Sequence, residues 1–258
     1  MTRDQFRFNK NSTWKTLAGA FITVSLMIFY FHRLGVLQID DESATSAKEF
    51  DPKIKNTIAK FSLADKYLIS IRHATSFSNW LLCLTMCLCG LIFMMRQLLC
   101  IFVLLPRAIS LEELVTVYCI FETTIFWSFT SGMKARNNLD PSEQDSFVIV
   151  PGFIIFVLGI LVSTCSEYQR KSLKVPGRLI TEGLWSYSMH INYLGEFLYY
   201  LGWSVVTLEW YNLWVPIFMM IGFIWVHIPG LDEYLAGRYP DQFPEYAKKT
   251  SKLIPYIY

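Results

Sequence analysis

The sequence predicts an all-α integral membrane protein, a bundle of about six transmembrane helices, or seven if the second apolar run divides. Three observations carry this. Hydrophobic residues make up 53% of the 258 and aromatic residues 16%, with a mean hydropathy of +0.34, more apolar than a soluble domain of this size. The apolar residues gather in long runs with few charges, each near the length that spans a hydrocarbon core. Basic residues cluster between the runs, in the N-terminus, over 170–178 and over 238–252. With six spans these regions share one side, which the positive-inside rule makes cytoplasmic.

The elements follow in order. Arg3, Arg7, Lys10 and Lys15 precede a run over 14–37, long enough to span at about 1.5 Å per residue. It is too long for a signal core and lacks a small-residue cleavage pattern, so it reads as a retained anchor. Residues 38–72 are polar, with one amphipathic helix expected near 54–71. A run over 77–105 is interrupted only by Arg96 and Gln97, as one tilted helix or two pieces, and Pro106-Arg107 closes it. Residues 111–131 form a third span holding Glu122; 134–145 is a loop with Asn-Asn and Asp-Pro turn signals; 147–165 is a fourth span. Residues 167–188 are polar and basic, with a turn at Pro176-Gly177. Two shorter runs, 193–208 and 213–227, flank Glu209-Trp210-Tyr211-Asn212 and read as a helical hairpin, followed from Pro229 by an amphipathic basic tail. The chain divides into an N-terminal transmembrane region over 1–146, with polar loop 38–76, and a C-terminal domain over 147–258.

A net charge of +2 gives no basis for nucleic-acid binding. Cys83, Cys87 and Cys89 lie close together, but no paired CxxC or nearby His completes a zinc pattern. They read as small apolar packing residues, and no metal site is expected.

Two segments stand out. Ser166 to Gly177, SEYQRKSLKVPG, lies where a span emerges into the basic loop. Arg170, Lys171, Lys174 and Arg178 could hold the phosphates of a dinucleotide or the charges of another cofactor; a juxtamembrane positive cluster has the same composition. Glu167 is an acid set among these bases. The second segment is GLWSYSMHINYLGE, from Gly183 to Glu196. Asn192 and Glu196 are four residues apart and share a helix face. An amide beside a carboxylate can read a carboxamide or an amino group; polar capping at a helix start is the structural alternative.

These segments, with the terminal EYAKKTSKLIPYIY, resemble in consistent order the C-terminal domain of the steroid 5α-reductase family. The similarity is to its widespread, poorly characterised branch, with the pattern GLWxYSRHPNYxGE and a YxxxTSxxIP ending. The resemblance implies a membrane-embedded reductase using NADPH, with cytoplasmic cofactor-binding loops. Its substrate would be a carbon–carbon double bond, often conjugated to a ketone, in a steroid or other hydrophobic lipid. In a eukaryotic cell the compartment would be the endoplasmic reticulum. By the same resemblance Asn192 and Glu196 contact the nicotinamide end, Tyr193 is the motif aromatic, Lys171 and Lys174 stand where steroid reductases have arginines, and Tyr234 matches another cofactor-side tyrosine. Two departures are visible. Met189-His190-Ile191 replaces Arg-His-Pro, and Glu167 replaces an Asp. Arg-His-Pro is shared with sister methyltransferases that use S-adenosylmethionine on lipids or isoprenylcysteine; here only Asp232-Glu233 stands in for their Glu-Glu pair. A methyltransferase and a non-catalytic relative are the competing readings.

Reduction of an enone needs a hydrogen-bond or proton donor at the carbonyl oxygen. Glu122 is the candidate, because burial of an isolated carboxyl favours its protonated form. Tyr118 lies four residues earlier on the same expected face. Pairing of Glu122 with Arg96 as structural glue is the competing reading. His190 and His227 read as interfacial, with His227 closing a span.

Overall fold

The computed structural model describes residues 10–33, 77–104, 111, 114–136 and 145–257. We number its helices α1 (Lys10–Arg33), α2 (Phe77–Leu99), α3 (Thr123–Arg136), α4 (Ser146–Ser172), α5 (Ile191–Val206), α6 (Trp214–Gly222), α7 (Ile228–Arg238) and α8 (Phe243–Lys249). Apart from one isolated parallel bridge between Ser188 and Ser251, the described residues contain no strand pairing. Among the described residues, three helical stretches are long and apolar enough to cross a membrane: Leu81–Leu104, Ser146–Ser172 and Trp210–Arg238. The protein is an integral membrane protein. The amphipathic helix expected over 54–71 falls outside the described residues.

Three stretches resolve or correct the sequence expectation. The second run does not break at Arg96; α2 carries through it and ends in a π-helical turn, Cys100–Leu104. The segment before α3, Leu114–Glu122, is wound as a π-helix. The last run does not end at His227. A π-helical stretch, Phe223–His227, joins α6 to α7, so His227 lies inside a continuous helix and is exposed. Pro229 lies two residues beyond this stretch. Proline lacks the N–H of an α-helical bond, and a widened turn absorbs the mismatch without ending the helix.

The core is an aromatic interlock. Trp203 of α5 is fully buried and meets the rings of Tyr30, Phe93, Phe126, Phe129 and Phe156 at centroid distances of 4.9–5.8 Å. Those five rings come from α1, α2, α3, α3 and α4, so one side chain ties five helices. Lipid tails are as apolar as the helices, so packing geometry, not expulsion from water, holds a bundle together. Edge-on and tilted ring pairs suit that, each adding about 0.5–1.5 kcal/mol beyond area burial.

Helices α4 and α5 lie antiparallel in backbone contact. A Cβ on Gly159 would stand 2.2 Å from the Tyr199 amide nitrogen and 2.8 Å from the Gly195 carbonyl. One on Gly195 would stand 2.5 Å from the Ser163 nitrogen, and one on Gly202 2.2 Å from the Phe156 nitrogen. Only glycine permits this approach. Each helix carries its two glycines seven residues apart (Gly152 and Gly159, Gly195 and Gly202), about two turns, which keeps them on one stripe. This seam fixes where the polar ends of the two helices meet.

Candidate functional site

The site grows from the α4–α5 seam. Asn192 opens α5 on the same face as Glu196, as their spacing predicts. Asn192 Nδ2 donates to Glu167 Oε1 across the seam at 3.1 Å. Glu167 is buried and its other oxygen takes Arg170. One turn deeper, Glu196 Oε1 accepts from Arg96 of α2 at 2.9 Å. Arg96 is almost wholly buried, so in lipid its charge requires such partners. It spreads its donors widely: Nη2 also reaches Ser163 Oγ at 2.6 Å, and Nη1 reaches Gln97 Oε1 at 2.7 Å and the Tyr199 hydroxyl at 3.5 Å. The guanidinium stacks over the Tyr199 ring, 5.2 Å from its centroid.

Gln97 passes the chain onward. Its Nε2 donates to Glu122 Oε1 at 2.5 Å. Arg96 and Glu122 therefore do not pair directly, as the glue reading expected; an amide stands between them. Glu122 is 1% exposed, and its Oε2 has no hydrogen-bond partner among the described residues. Native proteins rarely leave such an atom, and each case needs a reason. Tyr118 belongs to the same π-helical segment, but its side chain falls outside the described residues.

The remaining sequence candidates divide. Lys171 Nζ reaches back to the Val103 carbonyl at 2.7 Å, tying the end of α4 to the end of the α2 stretch. Lys174 and Arg178 are exposed, and Arg178 pairs with Glu182. Tyr193 is stacked between His190 (5.7 Å, 7°) and Phe223 (4.5 Å, 5°). The Tyr234 hydroxyl accepts from Arg238 Nη1 at 3.1 Å. The structure thus gathers Glu167, Asn192, Glu196 and Glu122 along one polar line that Arg96 and Gln97 complete.

His190 is buried within the protein. It has no exposed surface, and its Nε2 lies 2.9 Å from Asp232 Oδ1, whose other oxygen holds Lys252 at 3.3 Å. The backbone binds the same tail: Met189 N–H donates to the Ser251 carbonyl and His190 N–H to that of Lys252. Leu253 is fully buried in a cluster with Phe223 and Ile228. Nearby, Gly183 takes φ +65°, where a Cβ would strike the Gln169 amide that accepts the Leu184 N–H. The Trp185 indole donates to the Ser166 carbonyl, and its own carbonyl accepts the Tyr246 hydroxyl at 2.5 Å. Burial pushes that phenol up from its ordinary pKa. The GLWSYS stretch and the tail are thus the clamps that hold the start of α5.

Sequence reasoning missed the roles of Arg96, Gln97, Ser163 and Asp232. The signals were a polar pair inside the apolar run over 77–105 and the paired glycines of α4 and α5.

The family described as "Protein of unknown function (DUF1295)" matches residues 71–250. The protein named "3-oxo-5-alpha-steroid 4-dehydrogenase 2" from Rattus norvegicus is 30% identical over 112 residues, 42% of each chain. Its Homo sapiens namesake is 29% identical over the same length and share. "Delta(14)-sterol reductase ERG24" from Saccharomyces cerevisiae is 32% identical over 148 residues, 50% of this chain and 33% of that one. The chain spans less than half the length of these curated relatives. On the extent of the family match and the ordered C-terminal motifs, the chain belongs to the DUF1295 family and is steroid 5α-reductase-like.

Proposed function

We propose that the chain is a membrane-embedded reductase that uses NADPH to saturate a carbon–carbon double bond, conjugated to a ketone, in a steroid or other lipid. In a eukaryotic cell it would work in the endoplasmic reticulum. The observation that carries the reading is the pair of contacts Asn192–Glu167 and Glu196–Arg96, made by the segment that resembles the family motif. The reductase names of the relatives support it.

The donor set fits NADPH. Asn192 and Glu196 offer an amide and a carboxylate that is 24% exposed, able to accept from a carboxamide. Exposed Arg170 and Lys171, at the end of α4, and Lys174 and Arg178, on the loop after it, supply cations for phosphates. Bound NADPH supplies hydride chemistry; the protein's own residues supply orientation, charge and a donor. Arg96 holds the Glu196 carboxylate in place. Glu122 offers a carboxyl with one free oxygen to a lipid carbonyl, in a setting dry enough to strengthen that bond. Tyr193, stacked on both faces, keeps the start of α5 rigid.

The reading is tested by NADPH titration of the purified full chain in lipid nanodiscs. Saturable binding in the micromolar range, weakened in Glu196→Ala, is expected. Preferential binding of S-adenosylmethionine would instead favour a methyltransferase, and stabilisation by neither cofactor in a thermal shift would favour a non-catalytic protein.

A further inference from the structure

We propose that Gln97, oriented by Arg96, is a positioning residue that fixes Glu122 so that its acidic proton sits on Oε2. This rests on the reductase reading for its purpose but not for its geometry. Arginine has only donors, so Nη1 of Arg96, 2.7 Å away, requires an acceptor, and the Gln97 amide must present Oε1 to it. That leaves Gln97 Nε2 facing Glu122 Oε1 at 2.5 Å, and Oε1 must accept. Flipping the amide would set its NH₂ against the guanidinium, donor against donor. A proton on Glu122 therefore belongs on Oε2, the buried oxygen with no partner among the described residues. An ionised Oε2 in that place would be a bare buried charge, costly in lipid. A protonated one is a donor waiting for an acceptor, such as a substrate oxygen. Arg96 also grips Glu196, so one guanidinium holds the residue proposed to read the cofactor directly and the residue proposed to meet the substrate through Gln97.

Infrared difference spectroscopy of the full chain in nanodiscs, wild type against Glu122→Gln, isolates the Glu122 band. A protonated carbonyl stretch at the lowered frequency of a hydrogen-bonded C=O is expected. In Gln97→Met, and in Gln97→Asn as a milder change that keeps an amide, the band should move to higher frequency as Oε1 loses its donor. With an enone lipid and NADPH, Gln97→Met should lose up to about 100-fold in kcat with KM little changed. A carboxylate band in the wild type, a free-carbonyl frequency there, or an unshifted band in the variants would overturn the assignment. A chain showing the shift that reduces no lipid would overturn the reductase reading and leave the assignment standing.

Discussion

Alanine at Gly159 tests the seam that positions everything else. The added methyl carbon would stand 2.2 Å from the Tyr199 nitrogen and 2.8 Å from the Gly195 carbonyl, both backbone atoms of α5. No rotamer change relieves such contacts, so the helices must separate. Overpacking of this kind costs about 1–3 kcal/mol, occasionally more. Against it stands the usual gain of about 0.8–1.0 kcal/mol when alanine replaces a helical glycine. The net runs from near zero to a loss of about 2 kcal/mol, or up to roughly 8 °C in Tm at about 2–4 °C per kcal/mol. Gly237→Ala is the control, because nothing lies within 4 Å of its added Cβ. It should leave Tm unchanged or raise it by a few degrees. The assay is thermal unfolding in nanodiscs followed by tryptophan fluorescence, with NADPH titration alongside. Separation of α4 from α5 lengthens Asn192–Glu167, so cofactor affinity should fall in Gly159→Ala only. A Gly159→Ala protein as stable as Gly237→Ala would refute the close-contact seam.

Other outcomes follow from the same contacts. Glu196→Gln leaves the buried Arg96 with a neutral partner; losing one charge-assisted hydrogen bond should cost about 1.5–3 kcal/mol, seen in chemical denaturation, together with weaker NADPH binding. Tyr246→Phe should destabilise by about 0.5–1.5 kcal/mol. Its phenol is raised on folding, so the wild type holds that contribution below the unfolded tyrosine pKa of about 10 and loses it as pH climbs toward the folded value. The gap in Tm between wild type and Tyr246→Phe should therefore close in alkaline buffer. Replacing Lys171, Lys174 and Arg178 together by glutamine should weaken NADPH on the order of tenfold, with a shallower salt dependence, while Tm moves little because exposed charges each contribute about 0.2–1 kcal/mol. Asp232→Asn should speed hydrogen exchange at the Met189 and His190 amides, which donate to the Ser251 and Lys252 carbonyls of the tail that Asp232 helps hold.

Local patterns were legible in the chain; partners separated by a hundred residues were not. Apolar runs announced α2, α4 and the hairpin of α5 with α6, because lipid imposes composition on every residue facing it. Asn192 and Glu196 shared a face as their spacing required. Arg96 and Gln97 were visible as an interruption, yet nothing local says that one grips Glu196 and the other Glu122, since only tertiary packing sets those distances. The same limit hid the partners of His190: nothing near a histidine at a helix start announces Asp232, 42 positions later, or the terminal tail folded over it. His227 was mistaken for an end because the polar residue and Pro229 mimic a stop signal. The π-helical stretch beside them is a backbone solution that side-chain periodicity does not encode.

The most direct test is transfer of label. The full chain in nanodiscs is given NADPH carrying deuterium on the transferring carbon, with enone steroids and other conjugated lipids, and products are read by mass spectrometry. Deuterium should enter a lipid saturated at one carbon–carbon double bond, and Glu196→Ala and Glu122→Gln should lose it. Lipids left unlabelled across the panel, with methyl transferred to them from S-adenosylmethionine instead, would contradict the reductase assignment.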